Sequence, residues 1–105
     1  MSFYMNDVIK DMLSAAERVF VDEWPKVKED MERVLADERE AMENIANAYI
    51  VGGIDEEEFK EQLESERDAF EAGVAMCRVS SKVTIQQAVN AALGVLEAAV
   101  KAVVF

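Results

Sequence analysis

Histidine is missing from this chain of 105 residues, proline and cysteine occur once each, and glycine occurs four times. Without an imidazole there is no histidine-activated nucleophile, no histidine-ligated zinc and no Glu-x-x-His di-metal site of the ferritin kind. The single cysteine, Cys77, makes no intramolecular disulfide, and with only Arg78 beside it the thiol has little to activate it. It reads as a small core residue. Scarce proline and glycine leave few forced stops, so long helices follow. P-loop, Gly-rich dinucleotide, Gly-x-Ser-x-Gly and zinc-spacing motifs are also lacking, so the expectation is a protein that is not an enzyme, with no cofactor and no metal. The N-terminus lacks the basic, apolar and small-residue succession of a secretory signal, which points to an intracellular, cytoplasmic setting or a particle assembled there.

What the chain does have is acid and apolar surface. Its net charge is −11, and residues 22–71 hold 18 of the 22 acids and 6 of the 11 bases, a net of −12. Such a field repels nucleic acid and anionic membranes and favours basic partners. The 51% hydrophobic content is too high for a disordered polyelectrolyte. A single all-α domain over residues 1–105 is expected, its one core limited by its small size.

Four helices are legible in the spacing. Met5, Val8, Ile9, Met12, Ala16, Val19 and Phe20 mark one face of a first helix over 3–23, which should stop near Trp24-Pro25 because proline pushes the residue before it out of the α region. A second helix over 25–51 carries Met31, Leu35, Glu38, Met42, Ile45 and Tyr49 in steps of four and three. Gly52-Gly53 supplies a tight ending, and Asp55 is a natural N-cap for a third helix over 55–79, with Glu56, Glu57 and Glu58 in its first turn. That helix repeats the seam at Phe59, Leu63, Glu66, Phe70, Gly73 and Cys77. Folding the two back at the diglycine pairs Tyr49 with Phe59, Ile45 with Leu63, Met42 with Glu66, Glu38 with Phe70, Leu35 with Gly73 and Met31 with Cys77, a register that suits a central antiparallel hairpin. Thr84 and Gln87 have capping-box spacing for a fourth helix over 84–104. The whole is either an up-and-down bundle or an elongated hairpin completed by oligomerisation.

Two acids in the seam are the first candidates for chemistry. Arg67 and Arg39 lie beside them in register, so two cross-helix ion pairs, Glu38 with Arg67 and Glu66 with Arg39, are the expected arrangement. Glu40-x-x-Glu43 and Glu61-x-x-Glu64 keep a di-metal spacing without its histidines. The fourth helix is apolar nearly all round, with Glu97 and Lys101 its charges after Thr84. It is long enough to span a bilayer, but the polar residues Gln86, Gln87 and Asn90 and both charges favour burial among protein helices. Ala88, Ala92, Ala98 and Ala102 at four-residue steps permit close helix approach. A chain this small has little else with which to cover such a helix, so Ile85, Val89, Leu93, Leu96, Val100, Val103 and Phe105 form a candidate assembly surface.

The stretch Gly53-Ile54-Asp55-Glu56-Glu57-Glu58-Phe59-Lys60-Glu61-Gln62-Leu63 resembles the glycine, acidic-cap and phenylalanine pattern of short bacterial helical modules of the SHOCT type, over eleven residues. The functional expectation is a structural or interaction protein that self-associates or docks into a larger assembly, a phage particle for example, through helices four and one. The alternative is an acidic inhibitor or nucleic-acid mimic that meets a basic surface through residues 22–71. Neither reading involves direct nucleic-acid binding or a membrane span.

Overall fold

The computed structural model describes residues 3–75 and 81–104. Every regular element among them is helical: α1 (Met5–Phe20), a 3-10 turn (Val21–Glu23), α2 (Trp24–Ile50), α3 (Glu56–Val74) and α4 (Lys82–Val104). The 3-10 turn joins α1 to α2 without a non-helical residue, so the described residues form three unbroken helical runs and not four separately started helices. Proline chemistry explains why the expected stop at Trp24-Pro25 becomes a corner. Pro25 has no N–H to give the carbonyl of Val21 four residues back, and that carbonyl accepts from the Trp24 N–H instead. Pro25 then lies in the first turn of α2, where a missing N–H costs nothing.

The loop from α2 to α3 is closed by backbone geometry. Gly52 takes φ +80°, a conformation open to glycine without steric cost. Its N–H reaches the Tyr49 carbonyl at 3.1 Å, and the Gly53 N–H reaches that of Ala48 at 2.8 Å, the paired bonds of a Schellman ending. Asp55 then caps α3 by accepting from the Glu58 N–H at 2.8 Å, with Glu56, Glu57 and Glu58 in the first turn. The fourth helix starts two residues before the expected Thr84, because Ser81 is its cap: its hydroxyl accepts from the Thr84 N–H at 3.2 Å, and the Ser81 carbonyl accepts from the Ile85 N–H. Residues 76–80, which include Cys77 and the expected end of the third helix, lie outside the described residues.

Packing is bundle-like. The longest dimension of 40 Å equals the length of the 27-residue α2 at about 1.5 Å per residue. Contacts join α1 to α4 most extensively, then α2 to α3 and α3 to α4, while α1 and α3 do not meet. Phe59, Phe70, Met12, Met31, Leu35, Met42 and Leu96 are wholly enclosed, each worth about 1.5–3 kcal/mol relative to exposure. Of the seam positions, Tyr49, Leu63 and Glu66 are also buried, while Glu38, Ile45 and Gly73 are half-buried. Tyr49 stacks on Phe59 with ring centroids 4.4 Å apart, and Gly73 sits directly against Val34. Val27, Val34, Ala46 and Val74 join the core from outside the seam.

Candidate functional site

The candidate assembly surface is spent inside the chain. Ile85, Val89, Leu93, Leu96 and Val100 are all buried, Val103 is half-buried, and Phe105 lies outside the described residues. The covering comes from α1, whose stripe of Met5, Val8, Met12, Ala16 and Phe20 is equally buried. The alanine row is divided by this packing: Ala88 and Ala92 are enclosed, Ala98 and Ala102 exposed.

The two expected cross-helix ion pairs are absent. Among the described residues no ion pair joins Glu38 to Arg67 or Glu66 to Arg39; Arg67 instead reaches Glu64 at 3.8 Å and donates to Asn90 Oδ1 of α4 at 3.3 Å. Glu66, 7% exposed, faces Glu38 across α2 and α3. When both are ionised neither can donate, and Oε1 of Glu66 has no hydrogen-bond partner. A proton on the pair relieves this. Burial first, then the hydrogen bond to Glu38 and the repulsion of its charge, push the Glu66 carboxyl up to about 7. Such a group has the acidity of a general acid or base, and Glu66 lines neither of the two clefts along α3 that Arg67 and Asn90 border.

A polar ladder ties α3 to α4, and spacing within single helices does not reveal it. Gln86 donates to Glu71 at 3.4 Å, Arg67 to Asn90 at 3.3 Å, and Lys101 Nζ lies 3.3 Å from Glu56 and 3.0 Å from Glu97. The residue numbers of each α3–α4 pair add to 157, as an antiparallel register requires. Hydrogen bonds to Glu97 and then Glu56 raise the Lys101 pKa, so its charge is secure at neutral pH. Beside the ladder runs an open cleft of about 330 Å³, lined by Lys60, Leu63, Glu64, Arg67, Asn90, Leu93, Gly94 and Glu97.

The acidic stretch turns outward. On α3, Glu57, Glu61, Glu64 and Asp68 recur at steps of four and three and are all exposed, which lines them in one row along the helix. On α2, Glu29, Glu32 and Glu40, three and eight residues apart, fall on one side of the helix and are exposed. Glu40 with Glu43, and Glu61 with Glu64, belong to no larger ligand set: no group of three or more carboxylate or cysteine ligands comes together among the described residues. Glu56, Glu64 and Asp30 meet cations, whereas among the described residues Glu29, Glu32, Glu57, Glu61 and Asp68 have no ion pair.

By length and composition α4 is apolar enough to cross a membrane, a property shared by the core helices of bundles. No family model, curated protein or solved structure matches the chain.

Proposed function

We propose that the chain is a non-enzymatic interaction protein that presents carboxylate rows to a basic protein surface. In this reading α2 and α3 form the antiparallel hairpin of an up-and-down bundle, and the hairpin is the binding element. The observation that carries it is the row of Glu57, Glu61, Glu64 and Asp68, exposed along α3 at intervals of about 5 Å, one helix turn apart. With the apolar stripe of α4 covered by α1, these carboxylate rows are what α2 and α3 turn to solvent. A regular line of negative charge is the imprint of a polyanion, and it steers a cationic partner from a distance.

Retention on a polylysine-coated surface across a salt gradient tests the reading, because general acidity and the placement of the acids separate cleanly. Neutralising Glu57, Glu61 and Asp68 to the amides should lower the eluting salt concentration far more than neutralising Asp7, Asp11 and Glu17, which are equally exposed on α1. Equal loss from the two triples would reduce the effect to net charge and end the proposal.

A second reading, association between copies through α1 and α4, is favoured by the attachment of α1. That helix leans mainly on α4, and a three-residue turn is its link to α2. Light scattering at two protein concentrations and two salt concentrations reads it directly: salt-insensitive growth in mass supports it, and a constant monomer mass removes it.

A further inference from the structure

The backbone is under strain at one exposed point. Val21 takes φ 51° and ψ −108°, the corner conformation that the mirror-image turns reserve for glycine. For a β-branched side chain a positive φ is a true outlier. Val21 is also 62% exposed, so no burial of its side chain offsets the strain. The corner exists because Pro25 cannot continue the hydrogen-bond ladder to the Val21 carbonyl, and the turn between them is only three residues long.

The helix held by this corner is attached through one face. Met5, Val8, Met12, Ala16 and Phe20 are buried, mostly along α4; contact with α2 is much less extensive, and α1 and α3 do not meet among the described residues. A strained short hinge that carries an element bound chiefly to one neighbour is the arrangement from which two copies exchange that element.

We infer that α1 is an exchangeable arm, and that two copies of this chain associate by each laying α1 along the α4 of the other. The inference rests on the second reading, self-association, and states its geometry. When Val21 takes ordinary helical angles, α1, the turn and α2 become one proline-kinked helix from Met5 to Ile50, and α1 swings away from its own α4. The surface it vacates matches the α1 of a second copy contact for contact, since the interface is the same one. In the exchanged pair no apolar stripe on α4 is left bare, and both strained corners are relieved. Val21 and Pro25 act in opposite senses. The valine favours opening, while the proline, which crowds the carbonyl four residues before it, penalises the straightened helix and keeps closed and exchanged forms in balance.

Two measurements test this. Ala15 and Ala99 line one cleft between α1 and α4, so Ala15→Cys and Ala99→Cys in a Cys77→Ser background allow a short bismaleimide to join the two helices. Monomer and dimer fractions, separated at high protein concentration, are treated and run on a denaturing gel. The monomer should give an internally bridged chain and the dimer a covalent pair. A dimer fraction that yields only internally bridged single chains overturns the exchange and leaves self-association standing through another surface; a monomer at every concentration overturns both. Independently, Val21→Gly should weaken dimerisation on the order of a hundredfold, because glycine removes the strain at both corners, while Pro25→Ala should strengthen it. Unchanged dimerisation constants in both variants overturn the proposal.

Discussion

Replacing Glu66 with glutamine should stabilise the protein, and by an amount that depends on pH. In the folded chain the carboxyl binds its proton up to a pKa of about 7, against 4.5 when free, because burial and the facing Glu38 both oppose its charge. Linkage sets the sign. A carboxyl whose folded pKa is raised contributes stability that is fully present below about pH 4.5 and is lost as pH rises through about 7. Across that window the loss amounts to about 3 kcal/mol, at about 1.4 kcal/mol per pKa unit. Glutamine has nearly the shape of the neutral acid, does not titrate, and offers an N–H donor to Glu38.

Urea denaturation followed by helical circular dichroism, at fixed ionic strength between pH 4.5 and 8.5, separates this term from the general repulsion of an acidic chain. Wild type and Glu66→Gln share all other acids, so the difference between their curves isolates the one group. At pH 4.5 the two should be nearly equal; at pH 8.5 the variant should be more stable by up to about 3 kcal/mol, equivalent to roughly 10–20 °C in Tm for a domain of this size. A difference that stays flat from pH 4.5 to 8.5, or a variant weaker than wild type at pH 8.5, would refute the assignment of Glu66 as a buried, proton-holding carboxyl.

The backbone makes further tests available. Gly94→Ala should stabilise by up to about 1 kcal/mol in thermal melts, since an added methyl meets open space within a helix. The same change at Gly73 should give a smaller gain or a loss, because the new carbon would lie 3.2 Å from both methyls of Val34. Asp55→Ala removes the acceptor for the Glu58 N–H and should cost about 0.5–2 kcal/mol in urea titrations. Phe70→Ala empties a wholly enclosed site and should cost about 3–5 kcal/mol; a value near zero would mean that the ring is not in the core.

Features that depend on a few neighbouring residues are the ones legible in the sequence. Asp55 caps and Gly52 turns because the chemistry needed, a short acceptor and a residue without a Cβ, acts over three or four positions. The same locality misleads at two places. Ser81 and Thr84 are both good caps, and spacing to Gln87 favours the second, while the observed bond from the Thr84 N–H selects the first. At Pro25 the local rule forbids an uninterrupted α-helix but is silent on whether the chain loops or corners. The 3-10 turn keeps the helical run intact by moving one hydrogen bond, from Trp24 to Val21.

Pairing between helices is less legible, for a physical reason: periodicity reports which side chains a helix buries and not which neighbour buries them. The seam of α2 and α3 gave Glu66 a buried position, and burial it has, but its partner was chosen by tertiary position. Arg67, one residue on, reaches Asn90 of α4 and not its expected partner Glu38, and Glu38 faces the carboxyl of Glu66 instead. The apolar excess on α4 is a second case. Read helix by helix it looks like surface awaiting a partner, yet the small Ala88 and Ala92 let a neighbour approach closely, and the stripe of α1 from Met5 to Phe20 supplies the cover. Covering α4 in this way makes the corner at Val21 unavoidable, since a straight helix through Pro25 would carry α1 out of reach. The strain at that residue is therefore the cost of folding the arm back onto its own chain.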